Sequence, residues 1–201
     1  MECTLVRPRK MRKIIEDQDV GTKLSTGEHV RHQRKELTEE QKELTDNQKE
    51  LTDEQKEECR ETWELVHKAG LQQTGLSVFT KLFQAHPEVM PLFSFTEGQT
   101  LEQVIQGSVL PNHAQQVLHQ IGIAIRRLDD LDGMATKLRA LGARHDRYMA
   151  KTEYLRFLGA ALLGGMEEQL GIDFTPKRRA AMANFYAIVS RPIKEGLDQK
   201  Q

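Results

Sequence analysis

From Thr52 to the C-terminus, apolar residues recur every three to four positions and nowhere alternate. A half-buried strand needs a period of two, and a helix packed on one side needs about 3.6. That stretch is therefore read as all-α. Trp63, Val66, Ala69 and Leu71 make a first apolar face. Val78, Phe79, Leu82 and Phe83 make a second, which ends at His86-Pro87. Pro91-Leu92-Phe93-Ser94-Phe95 reads as a turn-rich segment, because proline disfavours helix continuation. A long helix is predicted from Pro111 or Asn112 to about Leu128, with Val117, Ile121, Ala124, Ile125 and Leu128 on one face. Asp129-Asp130-Leu131-Asp132-Gly133 breaks it, and a shorter helix carries Leu138, Leu141 and His145. Tyr154 to about Leu170 is helical and stops at Gly171. Thr175-Pro176 opens the last helix, through Met182, Phe185, Tyr186, Val189 and Ile193, with proline well placed in the first turn. The expectation is an all-α domain of seven to eight helices.

The chain has 201 residues, enough for one domain and an appendage. Polarity separates the two. Between positions 31 and 60 there are 17 charged residues and four apolar ones, Leu37, Leu44, Leu51 and Cys59. Residues 1–34 lack periodicity and read as a disordered basic leader, with Arg7, Arg9, Lys10, Arg12 and Lys13. Three heptads follow: KELTEEQ at 35–41, KELTDNQ at 42–48 and KELTDEQ at 49–55. Each has one apolar position, whereas a coiled-coil seam needs two. Each also holds Thr-x-x-Gln, a helix-start signal. The start of the first domain helix reads as duplicated in tandem, with 35–50 a solvated helix or disordered and the domain over 51–198.

Net charge is −1, which argues against a nucleic-acid partner. Two cysteines, Cys3 and Cys59, make no disulfide framework and no zinc spacing, and a cytoplasmic setting is the default. No apolar run approaches the ~18 residues of a membrane span, and the basic start lacks the apolar stretch of a secretory signal. Peripheral membrane contact through the basic leader or Cys3 is a further expectation.

Two of the seven histidines are singular. His113 shares a helical face with Val117, Ile121, Ala124 and Leu128, and His145 shares one with Leu138 and Leu141. A lone imidazole on such a face is ordinarily a core residue with its hydrogen bonds met. Two of them, on helices joined by one tight turn, open another reading: neutral imidazoles bracketing a metal or a flat metal cofactor from both sides. No cysteine or glutamate completes a zinc set, and His-Glu-x-x-His is absent. A planar cofactor with its own in-plane ligands would need only axial residues. His29, His32, His67, His86 and His119 read as structural or exposed. No Ser-His-Asp grouping, phosphate loop or carboxylate pair offers rival chemistry.

These residues, in order, carry a family resemblance. Trp63 in the first helix, Gly75, Phe79 and Leu82-Phe83 in the second, His86-Pro87 at the following turn, Phe93 in Pro-Leu-Phe-Ser-Phe, His113-Ala-Gln-Gln-Val117, Leu-Gly-Ala-Arg-His145 and Phe174-Thr-Pro-Lys-Arg-Arg-Ala-Ala together resemble a globin. Within that family the spacing of 32 residues (145 minus 113) is similar to neuroglobins, and the long leader is similar to globin X. Two departures stand out. Glu2 occupies the glycine position that dual acylation needs, and a single acyl chain anchors only marginally. The cysteine pair that neuroglobins can carry between the third and fourth helices is absent, and redox control through it with it.

The resemblance implies a globin fold around haem b (iron protoporphyrin IX). It implies His145 as the proximal iron ligand and His113 as the distal histidine. Phe93 would pack on the macrocycle, with Phe79, Phe95, Val117, Leu141 and Leu155 as dry walls. O2, CO and NO would be the ligands. His113 either hydrogen-bonds a ligand at an open iron or binds the iron itself; the neuroglobin-like context favours the second. The function implied is reversible binding of O2 and other diatomics. The alternative is redox work at the same haem, namely electron transfer, nitrite reduction or nitric oxide dioxygenation, with a reductase as partner.

Overall fold

The computed structural model describes residues 50–146 and 150–199. The basic leader and the first two heptads lie outside them. Seven α-helices and four short 3-10 turns make up the described residues, with no strand among them. None of these helices is long and apolar enough to cross a membrane.

Helix α1 (Asp53–Ala69) starts where the third heptad predicts. The Thr52 hydroxyl accepts from Gln55 N–H at 3.2 Å, and the Gln55 side chain accepts from Thr52 N–H at 3.1 Å. This reciprocal pair satisfies two donors that a helix start leaves without partners. Leu51, just before the cap, is buried. Gly70, at φ 99°, turns the chain directly into α2 (Leu71–Ala85); glycine reaches that region without steric cost.

Two 3-10 turns, Pro87–Leu92 and Ser94–Thr96, follow, with Phe93 extended between them. A six-residue helix, α3 (Leu101–Gln106), opens on a Thr100–Gln103 capping box. Helix α4 spans Val109–Arg126, two residues earlier at each end than the spacing predicts. Pro111 is its third residue. The first N–H groups of a helix have no partner within it, so a proline there breaks no bond. Helix α5 (Leu131–Asp146) starts where the Asp130 carboxylate accepts from Gly133 N–H at 3.1 Å. Helix α6 covers Thr152–Leu170, and α7 covers Pro176–Asp198 behind a Thr175 cap.

The core lies where α2 packs on α4 and α6, and where α7 packs on α1 and α5. Phe83, Phe185, Leu110, Leu118, Ile125, Leu162, Met166 and Met182 are sealed in it. Two close approaches set the frame around the later site. A Cβ on Gly75 would stand 2.9 Å from the Ala114 backbone, so α2 crosses α4 one residue from His113. A Cβ on Gly142 would strike the Ile193 carbonyl, and one on Gly196 the Arg139 carbonyl. That reciprocal pair seats α5 against α7 within one turn of His145.

Charge fixes α1 from outside. Lys177 reaches Glu54 and Glu58 at 2.8 Å each, and Arg178 reaches Glu61 at 2.8 Å. Arg60 and Lys56 both pair with Asp129, at 2.8 and 3.2 Å. Water screens exposed pairs of this kind, so they orient more than they stabilise. Cys59 is sealed inside α1's packed face, and burial pushes its thiol up to about 12.

Candidate functional site

His145 stands in the last turn of α5, half-buried. Its Nδ1 lies 2.8 Å from the Leu141 carbonyl oxygen, one helical turn back. A carbonyl can only accept, so Nδ1 carries the proton and donates it. In the neutral ring that tautomer leaves the lone pair on Nε2, the form that binds a metal. The i−4 spacing alone brings this about. A carbonyl oxygen has two lone pairs, so Leu141 can accept from the imidazole as well as from the helix ladder.

His113 stands in the second turn of α4, also half-buried. Its ring is surrounded by Phe79 at 5.3 Å, Phe93 at 5.5 Å and Phe95 at 6.1 Å between centroids. These rings cover much of the imidazole without offering an acceptor. Burial, and secondarily the facing His145, lower its pKa to about 4. A positive imidazolium is costly in an apolar surround and beside another imidazole. His113 is therefore neutral near pH 7, with a nitrogen lone pair available.

The sequence-predicted wall residues fall into two groups. Phe79, Phe93 and Phe95 converge on His113. Val117 lies one turn beyond His113, and Leu141 one turn before His145; both are half-buried. Leu155 lies apart on α6, half-buried, and its carbonyl accepts from the Tyr186 hydroxyl at 2.7 Å. Two contributors went unnoticed in the sequence. Phe83 backs Phe93 edge-on at 5.3 Å, and Thr96 binds the main chain beside Phe93. Phe83 reads simply as core. A threonine in a turn gives no signal beyond its habit of bonding nearby backbone.

The remaining described histidines stay outside this cluster. His67 and His119 are exposed. His86 stacks flat on Phe157 at 3.6 Å and pairs with Glu88 at 3.1 Å. Among the described residues no group of three or more His, Cys, Asp or Glu could hold a bare ion. The imidazoles of His113 and His145, with the phenylalanines around His113, fit a flat metal cofactor that brings its own equatorial ligands, which is what haem is.

Known proteins agree on the family. Residues 76–193 match the sequence model of globins. Polymeric globin components P2 and P3 of Glycera dibranchiata are 33% and 34% identical over 128 and 131 residues. Those matches span 63% and 64% of this chain and 82% and 84% of the relatives. The major polymeric component P1 of the same animal is 37% identical over 102 residues, 50% of this chain and 68% of its own. A solved structure, the hexacoordinated heme protein from an anhydrobiotic tardigrade at pH 4, shares the fold at a TM-score of 0.69 and 20% identity. The likeness covers 74% of this chain and 96% of that one. The chain belongs to the globin family.

Proposed function

We propose that this globin holds haem b with His145 as proximal ligand and His113 as the second axial ligand at rest, and that it binds O2 and other diatomic gases reversibly. One arrangement supports the reading: His113 of α4 sits among Phe79, Phe93 and Phe95 and has its pKa lowered in part by His145 of α5, whose own Nδ1 donates to the Leu141 carbonyl. Haem, when bound, would supply an iron that takes nitrogen ligands or a small gas. His145 keeps its tautomer through Leu141, so the nitrogen offered to the iron is always Nε2. Phe79, Phe93 and Phe95 keep water from His113 and favour its neutral form.

External ligands then compete with His113. The apparent affinity falls by the fraction of molecules in which the histidine has left. A protein built this way suits sensing or storage tuned by that fraction. Kinship to neuroglobin, argued from the 32-residue spacing, and to globin X, argued from the long leader, is part of the same proposal. A second reading, electron transfer with a reductase, draws support from the phenylalanine cage. It keeps His113 in one place, so ligation need not change between oxidation states. Cytoplasmic location, with at most weak membrane contact through the leader, is part of this proposal.

His113→Leu tests the assignment. The variant should retain haem and convert a six-coordinate ferrous spectrum to a five-coordinate one. His145→Ala should lose most of its haem on a desalting column. A His145→Ala protein with an unaltered spectrum would overturn the proximal assignment.

A further inference from the structure

The corner between α2 and α3 presents Phe93 and Phe95 to His113, yet it is built of short 3-10 turns. Hydrogen-bond geometry in such turns is poorer than in an α-helix, so what braces the corner decides how firmly the rings are held. Phe93 itself is extended, at φ −100° and ψ 110°. Thr96 closes the second turn and is 5% exposed. Its hydroxyl oxygen lies 2.9 Å from the Met90 carbonyl and 2.8 Å from the Phe93 carbonyl. A hydroxyl has one proton to give, so the two carbonyls share it. The main chain follows the same path: Phe93 N–H donates to Met90 at 3.1 Å, and Thr96 N–H to Phe93 at 2.9 Å. One side chain thus ties the first turn to the second across Phe93. The Phe93 ring is then set against Phe79 at 5.9 Å, Phe83 at 5.3 Å and Phe95 at 5.6 Å.

We propose that Thr96 is a positioning residue for His113: its buried hydroxyl staples the corner so that Phe93 and Phe95 close on the imidazole and hold it towards His145. The inference rests on the bis-histidine reading given above. Thr96 acts through the backbone on either side of Phe93, while Phe93 and Phe95 make the contact. Both carbonyls keep a main-chain donor when the hydroxyl is removed, so the corner loosens without losing its fold.

The full-length protein carries the test, with Thr96→Val to delete the hydroxyl at constant shape and Thr96→Ser to restore it. In the haem-free protein, the His113 ring signals in an NMR spectrum are displaced by the three phenyl rings. They should move towards free-histidine positions in Thr96→Val and return in Thr96→Ser. In the reduced haem-loaded protein, the limiting rate of CO binding at saturating CO reads how fast His113 leaves. It should rise ~3- to 10-fold in Thr96→Val, the range a net hydrogen bond supports, and fall back in Thr96→Ser. If Thr96→Val folds poorly, Thr96→Ala removes the hydroxyl without adding bulk and is read the same way. Unchanged signals and rate in Thr96→Val, or a Thr96→Ser protein that behaves like it, would overturn the role. A wild-type protein that binds CO with no limiting rate would overturn the bis-histidine reading instead. The haem-free signals would then decide whether Thr96 holds the cage.

Discussion

An imidazole among phenylalanines pays for its place only while it is neutral. His113 in solution takes a proton below about pH 6.5, whereas in the fold it does so near 4. Between those values the unfolded chain binds a proton that the folded chain refuses, so stability falls as pH falls through that window. The urea midpoint of the haem-free protein should therefore drop between pH 7 and pH 4.5. His113→Leu should show a shallower drop, and identical slopes in the two proteins would refute the burial argument. His113 and His145 were legible in the sequence because an imidazole on an apolar helical face is chemically out of place. Phe79, Phe93 and Phe95 were legible only as apolar residues, and the resemblance, not their spacing, assigned them to a pocket. The Leu141 bond to His145 follows from i−4 spacing and is readable once the helix is accepted. Thr96 was not readable at all, because its partners depend on the exact course of two turns.

Helix starts were the most legible elements. Thr52 and Thr175 announce α1 and α7, and each hydroxyl accepts from the N–H three residues on. The same box at Thr100 passed unread, because α3 has six residues and too few apolar ones to show a period. Pro111 misplaced the start of α4, since proline is tolerated throughout the first turn. What no periodicity shows is how near two helices come. Gly142 and Gly196 each face a carbonyl of the opposite helix, whereas a Cβ on Gly164 would meet only the flexible Lys81 side chain at 3.3 Å. Gly196→Ala should destabilise by ~3 kcal/mol or more and weaken haem retention by moving α5, though it contacts neither histidine. Gly164→Ala should be neutral or stabilising by up to ~1 kcal/mol, from helix propensity. Guanidinium unfolding and haem titration of both variants check this. A Gly196→Ala protein as stable as the parent would show that α5 and α7 can part without cost.

At the scale of the molecule, fold class came through because every apolar stretch past Thr52 has helical period and because α1 to α7 share one core. Among the described residues, Leu51 is the first to join that core. Deleting residues 1–48 should therefore leave haem affinity and thermal midpoint within error of the full chain. Loss of haem binding on truncation would place part of the heptads inside the domain. The ion pairs that bind α1 to α7 and to Asp129 lie largely at the surface. Screening by salt should cost them little beyond the modest contribution that exposed pairs make.

The central claim is that two histidines face one iron, and the absorption spectrum of the reduced protein under argon tests it most directly. After haem reconstitution, the account predicts an intense Soret band with sharp, split visible bands, the mark of nitrogen on both axial sides. A single broad visible band would mean that His113 leaves the iron open, and no Soret band would mean that the pocket holds no haem.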